Sequence, residues 1–275
     1  MTTTASAALD IDSEYKITPE QVALFQKDGY IKLKNVLSPD VLDYYGREIT
    51  RLVLEQSKDY KPLEERTTYG KAFLQISNIW QHSEIVKEFV FGKRLARIAT
   101  ELLQARGVRV YHDQALYKEA GGGYTPWHVD QYYWPVESEK TVTAWIPLHA
   151  VPMENGPLMF SVGSQRIKVG RDLDISEEGE KKLDEQLKLS NLPVDESPFD
   201  LGEVSFHLGF TFHRASPNKL PKAREVMTII YIDRDMRLAE PKHQNQKTDW
   251  DSWCPGVKIG EIIDSPLNPI LYSRD

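Results

Sequence analysis

His128 and Asp130 are two side chains that can bind a metal, and they stand two positions apart. Residues two apart on a strand point to the same side, so this pair can present an imidazole and a carboxylate together. A second imidazole would complete a set of two histidines and one carboxylate, which holds Fe(II) on one face and leaves the other face open. The spacing therefore predicts a metal site that needs one more histidine.

The third ligand has two candidates among the seven histidines of the chain. His207 and His213 share the same parity in a segment that predicts a pair of strands, and either could return to the first two ligands in a closed β-barrel. The residues alone leave this choice open. His82 with Glu84 is the other histidine–carboxylate pair of this spacing, but Ser83 between them is typical of a helix N-cap, so we set the pair aside.

Arg224 is the candidate for binding an anion near such a metal. It directly precedes an apolar segment, 226–232, that predicts a strand. A positive charge inside a barrel needs an anionic partner, and a guanidinium group suits the carboxylate of a bound diacid. The alternative, an exposed arginine at the start of a strand, is equally compatible with this segment alone.

The elements that would position these groups change in type near Gly107. Before it, helix-start signals and apolar spacing predict helices after Thr18 and Ser38, and a third from Ser83 to Leu103 with a break at Gly92. A further helix is predicted near residue 176. After Gly107 the pattern predicts short strands, and it places one set of alternating residues on a single face of the first strand: Val108, Val110, His112, Gln114, Leu116 and Lys118.

These short strands, separated by Gly and Pro, predict a mainly β fold with flanking helices, either an antiparallel barrel or a sandwich. Residues 1–15 are predicted to be a mobile tail and residues 16–275 a single domain. Within that domain we expect a helical part to about residue 105, the β core after it, and a C-terminal arm from about residue 240 that closes over the barrel.

Composition excludes several classes of protein. The 275 residues carry a net charge of -7, which argues against nucleic acid or an anionic membrane as the main partner. Cys254 is the only cysteine, so an internal disulfide and a cysteine-based zinc site are both excluded. The first residues lack the pattern of a signal peptide. We expect a cytoplasmic protein that binds a small molecule, and the sequence does not indicate an oligomeric state.

Several motifs in fixed order resemble the phytanoyl-CoA dioxygenase-like family of iron(II)- and 2-oxoglutarate-dependent oxygenases. The resemblance runs from about residue 18 to the C-terminus, and the ordered set is more specific than any one piece. The matching segments are Gln114-Ala115-Leu116-Tyr117-Lys118, Pro126-Trp127-His128-Val129-Asp130, Ala144-Trp145-Ile146-Pro147-Leu148, Glu154-Asn155-Gly156-Pro157-Leu158, Gly202-Glu203-Val204 and His213-Arg214-Ala215-Ser216-Pro217-Asn218, with Arg224 after them.

The resemblance implies a double-stranded β-helix core, also called a jelly-roll or cupin-like fold, with N-terminal helices. It implies that His128, Asp130 and His213 are the catalytic iron ligands, which decides against His207 as the third ligand. Arg224 would pair with the distal carboxylate of 2-oxoglutarate. The remaining implied cosubstrate contacts are Gln114 and Trp145, and the implied cofactor set is Fe(II), 2-oxoglutarate and O2.

One departure from the family pattern concerns a hydroxyl group. Many relatives have a serine two residues after the distal histidine, where its hydroxyl contacts the cosubstrate carboxylate. Here Ala215 occupies that position and Ser216 follows it. Ser216 is therefore our candidate for the missing contact.

The implied reaction is hydroxylation, or another oxidative change, of an unactivated carbon in a small-molecule metabolite, with release of succinate and CO2. Related halogenases have Gly or Ala at the carboxylate position, so Asp130 favours hydroxylation. The substrate pocket is predicted to include Trp134, Tyr132 and His207, and Trp250 and Trp253 could add to an aromatic wall. The alternatives are a cupin-like metal enzyme that does not use 2-oxoglutarate and a non-catalytic binding protein.

Overall fold

The structure is a computed structural model that describes residues 9–274, apart from the side chains at positions 68, 69 and 177. Its helices are α1 (Pro19–Asp28), α2 (Pro39–Gln56), α3 (Thr68–Ala72), α4 (Glu84–Val90), α5 (Lys93–Leu102), α6 (Glu177–Ser190) and α7 (Gln244–Trp253). Its strands are β1 (Tyr30–Leu33), β2 (Leu74–Ser77), β3 (Gly107–Lys118), β4 (Thr125–His128), β5 (Thr141–Pro147), β6 (Leu158–Ser161), β7 (Val194–Glu196), β8 (Val204–Leu208), β9 (His213–Ala215), β10 (Arg224–Asp233) and β11 (Ile270–Ser273).

The first helices begin and end where the sequence predicts. Thr18 caps α1: its hydroxyl accepts a hydrogen bond from the backbone N–H of Gln21, and its own backbone N–H donates to the side-chain oxygen of Gln21. The helix ends at Gly29, whose φ of 81° is a left-handed conformation that glycine adopts without strain. The predicted third helix is two helices, α4 and α5, because the chain breaks at Gly92 as expected.

Two antiparallel sheets form the β core, which confirms the predicted fold class. The larger sheet has seven strands in the order β1-β8-β5-β10-β3-β11, with β2 also paired to β3. The smaller sheet has the order β4-β9-β6-β7. The N-terminal helices cover one face of the larger sheet, where residues such as Val110, Tyr117 and Ile229 join the apolar side chains of α2, α4 and α5. The opposite face of the larger sheet lines a cavity.

The prediction that alternate residues of β3 share one face is wrong for the first half of the strand, before His112. The register between β3 and β10 shifts between Ile230 and Tyr231, where Tyr111 is the extra residue of a β-bulge. The bulge exchanges the faces, so Val108 and Val110 pack against the helices while Tyr111 packs near Ile230 on the other side. His112, Gln114 and Leu116 keep the predicted common face, which lines the cavity.

The C-terminal segment after residue 240 contains a helix, α7, that the sequence analysis did not predict. Gln246 holds this helix against the loop after β4, because its side-chain amide donates to the backbone oxygen of Tyr132 over 3.0 Å. Within residues 9–274, no helix is both long and apolar enough to cross a membrane.

Candidate metal centre

Three side chains meet where the two sheets approach each other. His128 ends β4 and His213 begins β9, and the two residues are cross-strand partners. Asp130 follows at the start of a short 3-10 turn. One ligand atom from each of these three residues lies within 4.8 Å of the others, in the only such group of metal-binding side chains found among the described residues.

Hydrogen bonds orient both histidine rings toward the centre of this group. Nδ1 of His128 lies 2.8 Å from the backbone oxygen of Pro126, and Nδ1 of His213 lies 2.9 Å from that of Thr211. A carbonyl oxygen only accepts, so both Nδ1 atoms carry the proton and both Nε2 atoms have a free lone pair. These Nε2 atoms lie 3.7 Å and 3.4 Å from Oδ1 of Asp130.

Asp130 is held by its other oxygen. Oδ2 accepts hydrogen bonds from Thr143 over 2.8 Å and from Nε2 of His207 over 3.1 Å. This leaves Oδ1 facing the two ring nitrogens. Two neutral imidazoles and one carboxylate, with separations slightly above the roughly 3 Å between neighbouring ligands of a six-coordinate metal, fit a ferrous ion.

Burial and charge keep this group in the protonation states that a metal requires. Burial, and then the neighbouring His213, lower the pKa of His128 to about 3, and the same two causes lower that of His207 to about 4. Burial alone would raise the pKa of Asp130, but His213 and His207 hold it well below its usual range. At neutral pH Asp130 is therefore a carboxylate and His128 a neutral ring, as metal binding requires.

Arg224 lies at the other end of the same cavity. It is almost fully buried, and its Nη1 donates to the backbone oxygen of Gly156 over 2.5 Å. Nε has no hydrogen-bond partner, and no carboxylate among the described side chains pairs with the group. Burial lowers the pKa of Arg224 to about 9. An arginine in this state is a site for an anionic ligand.

A buried lysine lies beside this arginine. Lys118 is the cross-strand partner of Arg224, and its Nζ donates to the backbone oxygen of Gly123 and, over 3.3 Å, to Oγ1 of Thr125. Burial, and then the charge of Arg224, lower the pKa of Lys118 to about 6. At neutral pH the positive charge at this end of the cavity is therefore mainly that of Arg224.

The cavity between these two ends has a volume of about 480 Å³. Most of the predicted site residues line it: His128, Asp130, His213, Arg224, Gln114, Trp145, Trp134 and His207. The ring of Trp145 lies 5.3 Å from the guanidinium carbon of Arg224. A volume of this size is typical of a small-molecule site.

Two predicted site residues lie outside the cavity. Ser216 points away from Arg224, with its hydroxyl 3.4 Å from a carboxylate oxygen of Glu196, because it alternates with Ala215 on β9 and its continuation. Tyr132 stacks on His243 with ring centroids 4.3 Å apart and is not among the lining residues.

Several lining residues were not predicted as parts of the site, among them Thr125, Thr143, His112 and Asp249. Thr125 is the cross-strand partner of Ala215, and a register shift between Thr125 and His128 hides it from the period-2 pattern. The role of Thr143 can be recognised only from its hydrogen bond to Asp130, which the sequence does not show. The other two, His112 and Asp249, come from β3 and α7 and meet only in the folded chain.

Comparison with known proteins identifies a family. The model of the phytanoyl-CoA dioxygenase family matches residues 25–226 of the chain, which include all three candidate metal ligands and Arg224. Among curated proteins, the ectoine dioxygenase of Stutzerimonas stutzeri is 25% identical over 244 residues, 82% of this chain and 80% of that protein. The ectoine dioxygenase of Nocardia farcinica is 27% identical over 161 residues, and this match spans only 52% of that protein.

Solved structures share the fold. The non-heme alpha ketoglutarate dependent carbocyclase SnoK from nogalamycin biosynthesis superposes with a TM-score of 0.75 at 23% identity, over 93% of this chain and 96% of that one. EctD from S. alaskensis, solved with 2-oxoglutarate and 5-hydroxyectoine, superposes with a TM-score of 0.68 at 21% identity, over 94% of this chain and 90% of that one. These likenesses confirm the predicted cupin-like jelly-roll core.

Proposed function

Because the chain belongs to the phytanoyl-CoA dioxygenase family, we propose that it uses Fe(II), 2-oxoglutarate and O2 to hydroxylate an unactivated carbon of a small-molecule metabolite. The observation that carries this proposal is the convergence of His128, Asp130 and His213 in a cavity whose other end holds the buried Arg224. A metal ligand set and an anion site in one cavity suit a cosubstrate that binds both. A cytoplasmic location is part of the proposal, since Cys254 is a free thiol.

Each of these side chains has a defined task. His128, Asp130 and His213 would hold iron through Nε2, Oδ1 and Nε2, with the opposite face left open to ligands. Iron bound there supplies the oxidation of the substrate, coupled to decarboxylation of 2-oxoglutarate to succinate and CO2. Arg224 would pair with the distal carboxylate, and its low hydration in the buried site strengthens that pairing.

Hydroxylation is favoured over halogenation because the third ligand is a carboxylate. Asp130 occupies the position that must be small to admit a halide, and its Oδ2 is fixed by Thr143 and His207. The carboxylate is thus held in its binding position before iron arrives.

The test is anaerobic addition of Fe(II) and 2-oxoglutarate, followed by measurement of their visible charge-transfer band and, after O2 is admitted, of succinate. We expect the band in the wild type and its loss in Asp130→Ala. His82→Ala is the matched control, because His82 is exposed and distant from the site, and it should retain the band. A full band and full succinate release in Asp130→Ala would contradict the proposed metal site.

A second variant separates this proposal from a cupin-like enzyme that does not use 2-oxoglutarate. Loss of the Arg224 charge should weaken 2-oxoglutarate binding by about tenfold or more, since a hydrogen-bonded charge pair contributes about 1.5–3 kcal/mol. Unchanged 2-oxoglutarate affinity in Arg224→Met, with Fe(II) still bound, would favour that other class.

A further inference from the structure

A row of four residues across the large sheet marks the boundary between two halves of the cavity. His207, Thr143, Ile230 and His112 are successive cross-strand partners on β8, β5, β10 and β3, so they form one row across the sheet. Two members of this row bind Asp130, which places the row at the level of the candidate metal ligands. Arg224 lies six residues earlier on β10, so it marks the half that the cosubstrate would occupy. The opposite half lies beyond the row, where α7 lines the cavity.

One face of α7 forms the wall of this second half. Asn245, Asp249 and Trp253 are spaced four residues apart, which places them on the same side of a helix, and all three line the cavity. Trp253 stacks on His112 with ring centroids 5.1 Å apart and an interplanar angle of 28°. Trp134 meets the same imidazole edge-on at 6.3 Å. The wall is therefore aromatic next to the metal-level row.

The acidic side chains of this half are Asp249 and Asp174. Burial raises the pKa of Asp249 to about 7, and a cation bound beside it would favour its charged form. Asp249 is fixed by hydrogen bonds from the hydroxyl of Tyr111 over 2.5 Å and from Nε1 of Trp253 over 2.8 Å. A carboxylate has about four acceptor positions, so Asp249 can take a further donor from the cavity. Asp174 lines the mouth, where it is exposed. Among the described residues that line the cavity, the one lysine or arginine is Arg224, in the other half.

His112 supplies an independent sign of a ligand. Its side chain lines the cavity and is 2% exposed, yet its Nδ1 has no hydrogen-bond partner. Burial lowers the pKa of His112 to about 4, so the ring is neutral at physiological pH and one of its nitrogens is an acceptor. A polar atom buried without a partner is costly unless a ligand satisfies it.

We propose, on the basis of the proposed function, that the primary substrate is a compact organic amine whose protonated nitrogen binds Asp249 and lies against the ring of Trp253. Carboxylates and aromatic faces both attract a cation, and the two together are stronger than either alone. His112 accepts a second hydrogen bond from the same substrate. Substrates that present a phosphate or carboxylate to this half, including coenzyme A thioesters bound by their nucleotide end, are disfavoured by the two aspartates.

The experiment uses two probe sets of matched shape on the full-length protein loaded with Zn(II), as a diamagnetic substitute for Fe(II), and 2-oxoglutarate. The first set is cyclohexylammonium, cyclohexanol and cyclohexanecarboxylate, and the second is piperidinium and tetrahydropyran. Dissociation constants are measured by ligand-detected NMR. We expect each cation to bind about tenfold or more tightly than its neutral match, from one charge-assisted hydrogen bond and one cation–π contact, and the carboxylate to bind most weakly.

Asp249→Asn is the informative variant. Its amide oxygen can still accept from Trp253 and its amide nitrogen can donate to Tyr111, so the wall is preserved while the charge is removed. The preference for cations should disappear in this variant. Asp251→Asn is the matched control, because Asp251 lies on the same helix but is exposed to solvent, and it should keep the preference.

Three outcomes would overturn the proposal: binding of neither cation, equal binding of cations and neutral matches, or an unchanged preference in Asp249→Asn. None of them touches the proposed function, which is judged by the charge-transfer band of the same protein loaded with Fe(II) and 2-oxoglutarate in place of Zn(II). Absence of that band in the wild type would contradict the proposed function instead.

Discussion

At the scale of single residues, the two histidines that could have been the third ligand have different environments. Nδ1 of His213 is bound to a backbone oxygen, so its Nε2 is free for a metal, whereas Nε2 of His207 donates to Asp130. The sequence could not distinguish these roles, because both residues have the same parity on adjoining strands. The family resemblance favoured His213, and the geometry agrees with it.

Ser216, the predicted hydroxyl contact to the cosubstrate carboxylate, is not among the residues that line the cavity. Sequence order suggested Ser216 as the nearest substitute for a serine at position 215. In the fold, the residue that lies beside position 215 on the cavity face comes from the neighbouring strand and not from the next position in the sequence. Thr125 faces Ala215 from β4, lines the cavity and accepts a hydrogen bond from Lys118, so its own proton is free to donate to an anion.

We predict that Thr125→Val weakens 2-oxoglutarate binding by about tenfold, because a hydrogen bond to a charged group contributes about 1.5–3 kcal/mol. Valine has the shape of threonine, so packing is kept. Titration of the charge-transfer band with 2-oxoglutarate gives the dissociation constant. Ser216→Ala is the control and should change it by less than about twofold, since Ser216 faces Glu196. The opposite ranking of the two variants would restore Ser216 as the contact.

At the scale of elements, capping signals predicted α1 and α2, whereas α3 and α7 were not predicted. Thr18 and Ser38 are the N-caps of α1 and α2, and their side chains accept the expected hydrogen bonds from backbone N–H groups. The segment of α7 is polar almost throughout, and His243 at its N-cap makes no side-chain capping bond. Its position depends on tertiary contacts, which local patterns do not contain.

The β-bulge on β3 is the second element that local patterns could not show. It turns Tyr111 to the side of Asp249 and leaves His112 on the cavity face. A one-residue change of register reverses the faces of a strand, so the predicted face held only from His112 onward.

We predict that Gln246→Ala disturbs the α7 wall without disturbing the iron site. The buried Gln246 bonds the backbone of Tyr132 and, over 2.9 Å, the backbone N–H of Lys242, and its loss should lower the free energy of unfolding by about 1–3 kcal/mol. Urea unfolding measures this loss. Cyclohexylammonium binding should weaken, whereas the charge-transfer band should stay unchanged.

The control for this variant is Gln244→Ala on the same helix, where the side chain is exposed and no comparable loss is expected. An intact amine affinity together with a reduced charge-transfer band would show that the helix supports the metal ligands and not the substrate wall.

At the scale of the whole molecule, the main apolar core and the candidate site lie on opposite faces of the large sheet. The N-terminal helices and one face of the large sheet hold the main apolar core, while the other face holds buried basic side chains and histidines. Composition and strand spacing were enough to predict a mainly β fold with flanking helices. The arrangement of the cavity face depends on contacts of β3 with β10 and α7, which lie more than one hundred residues later in the sequence.

Two buried basic side chains without a protein carboxylate, Arg224 and Lys118, should make the stability of the whole chain depend on an anionic ligand, because such a ligand favours their charged forms. Desolvation disfavours their charged forms, as the lowered pKa values of both indicate. A ligand that binds only the folded state raises the free energy of unfolding. The increase is about 2.7 kcal/mol when the free ligand concentration is one hundred times the dissociation constant. We therefore predict that Zn(II) with 2-oxoglutarate raises the Tm of the wild type in differential scanning calorimetry.

Arg224→Met tests the cause of that dependence, because methionine fills much of the same space without a charge. Without ligand, this variant should unfold at the same or a higher Tm than the wild type, since removing an unpaired buried charge offsets the loss of its bond to Gly156. With Zn(II) and 2-oxoglutarate, its Tm should rise by much less. A variant that is less stable without ligand yet gains the full increase with it would show that Arg224 serves the packing of the barrel and not the cosubstrate.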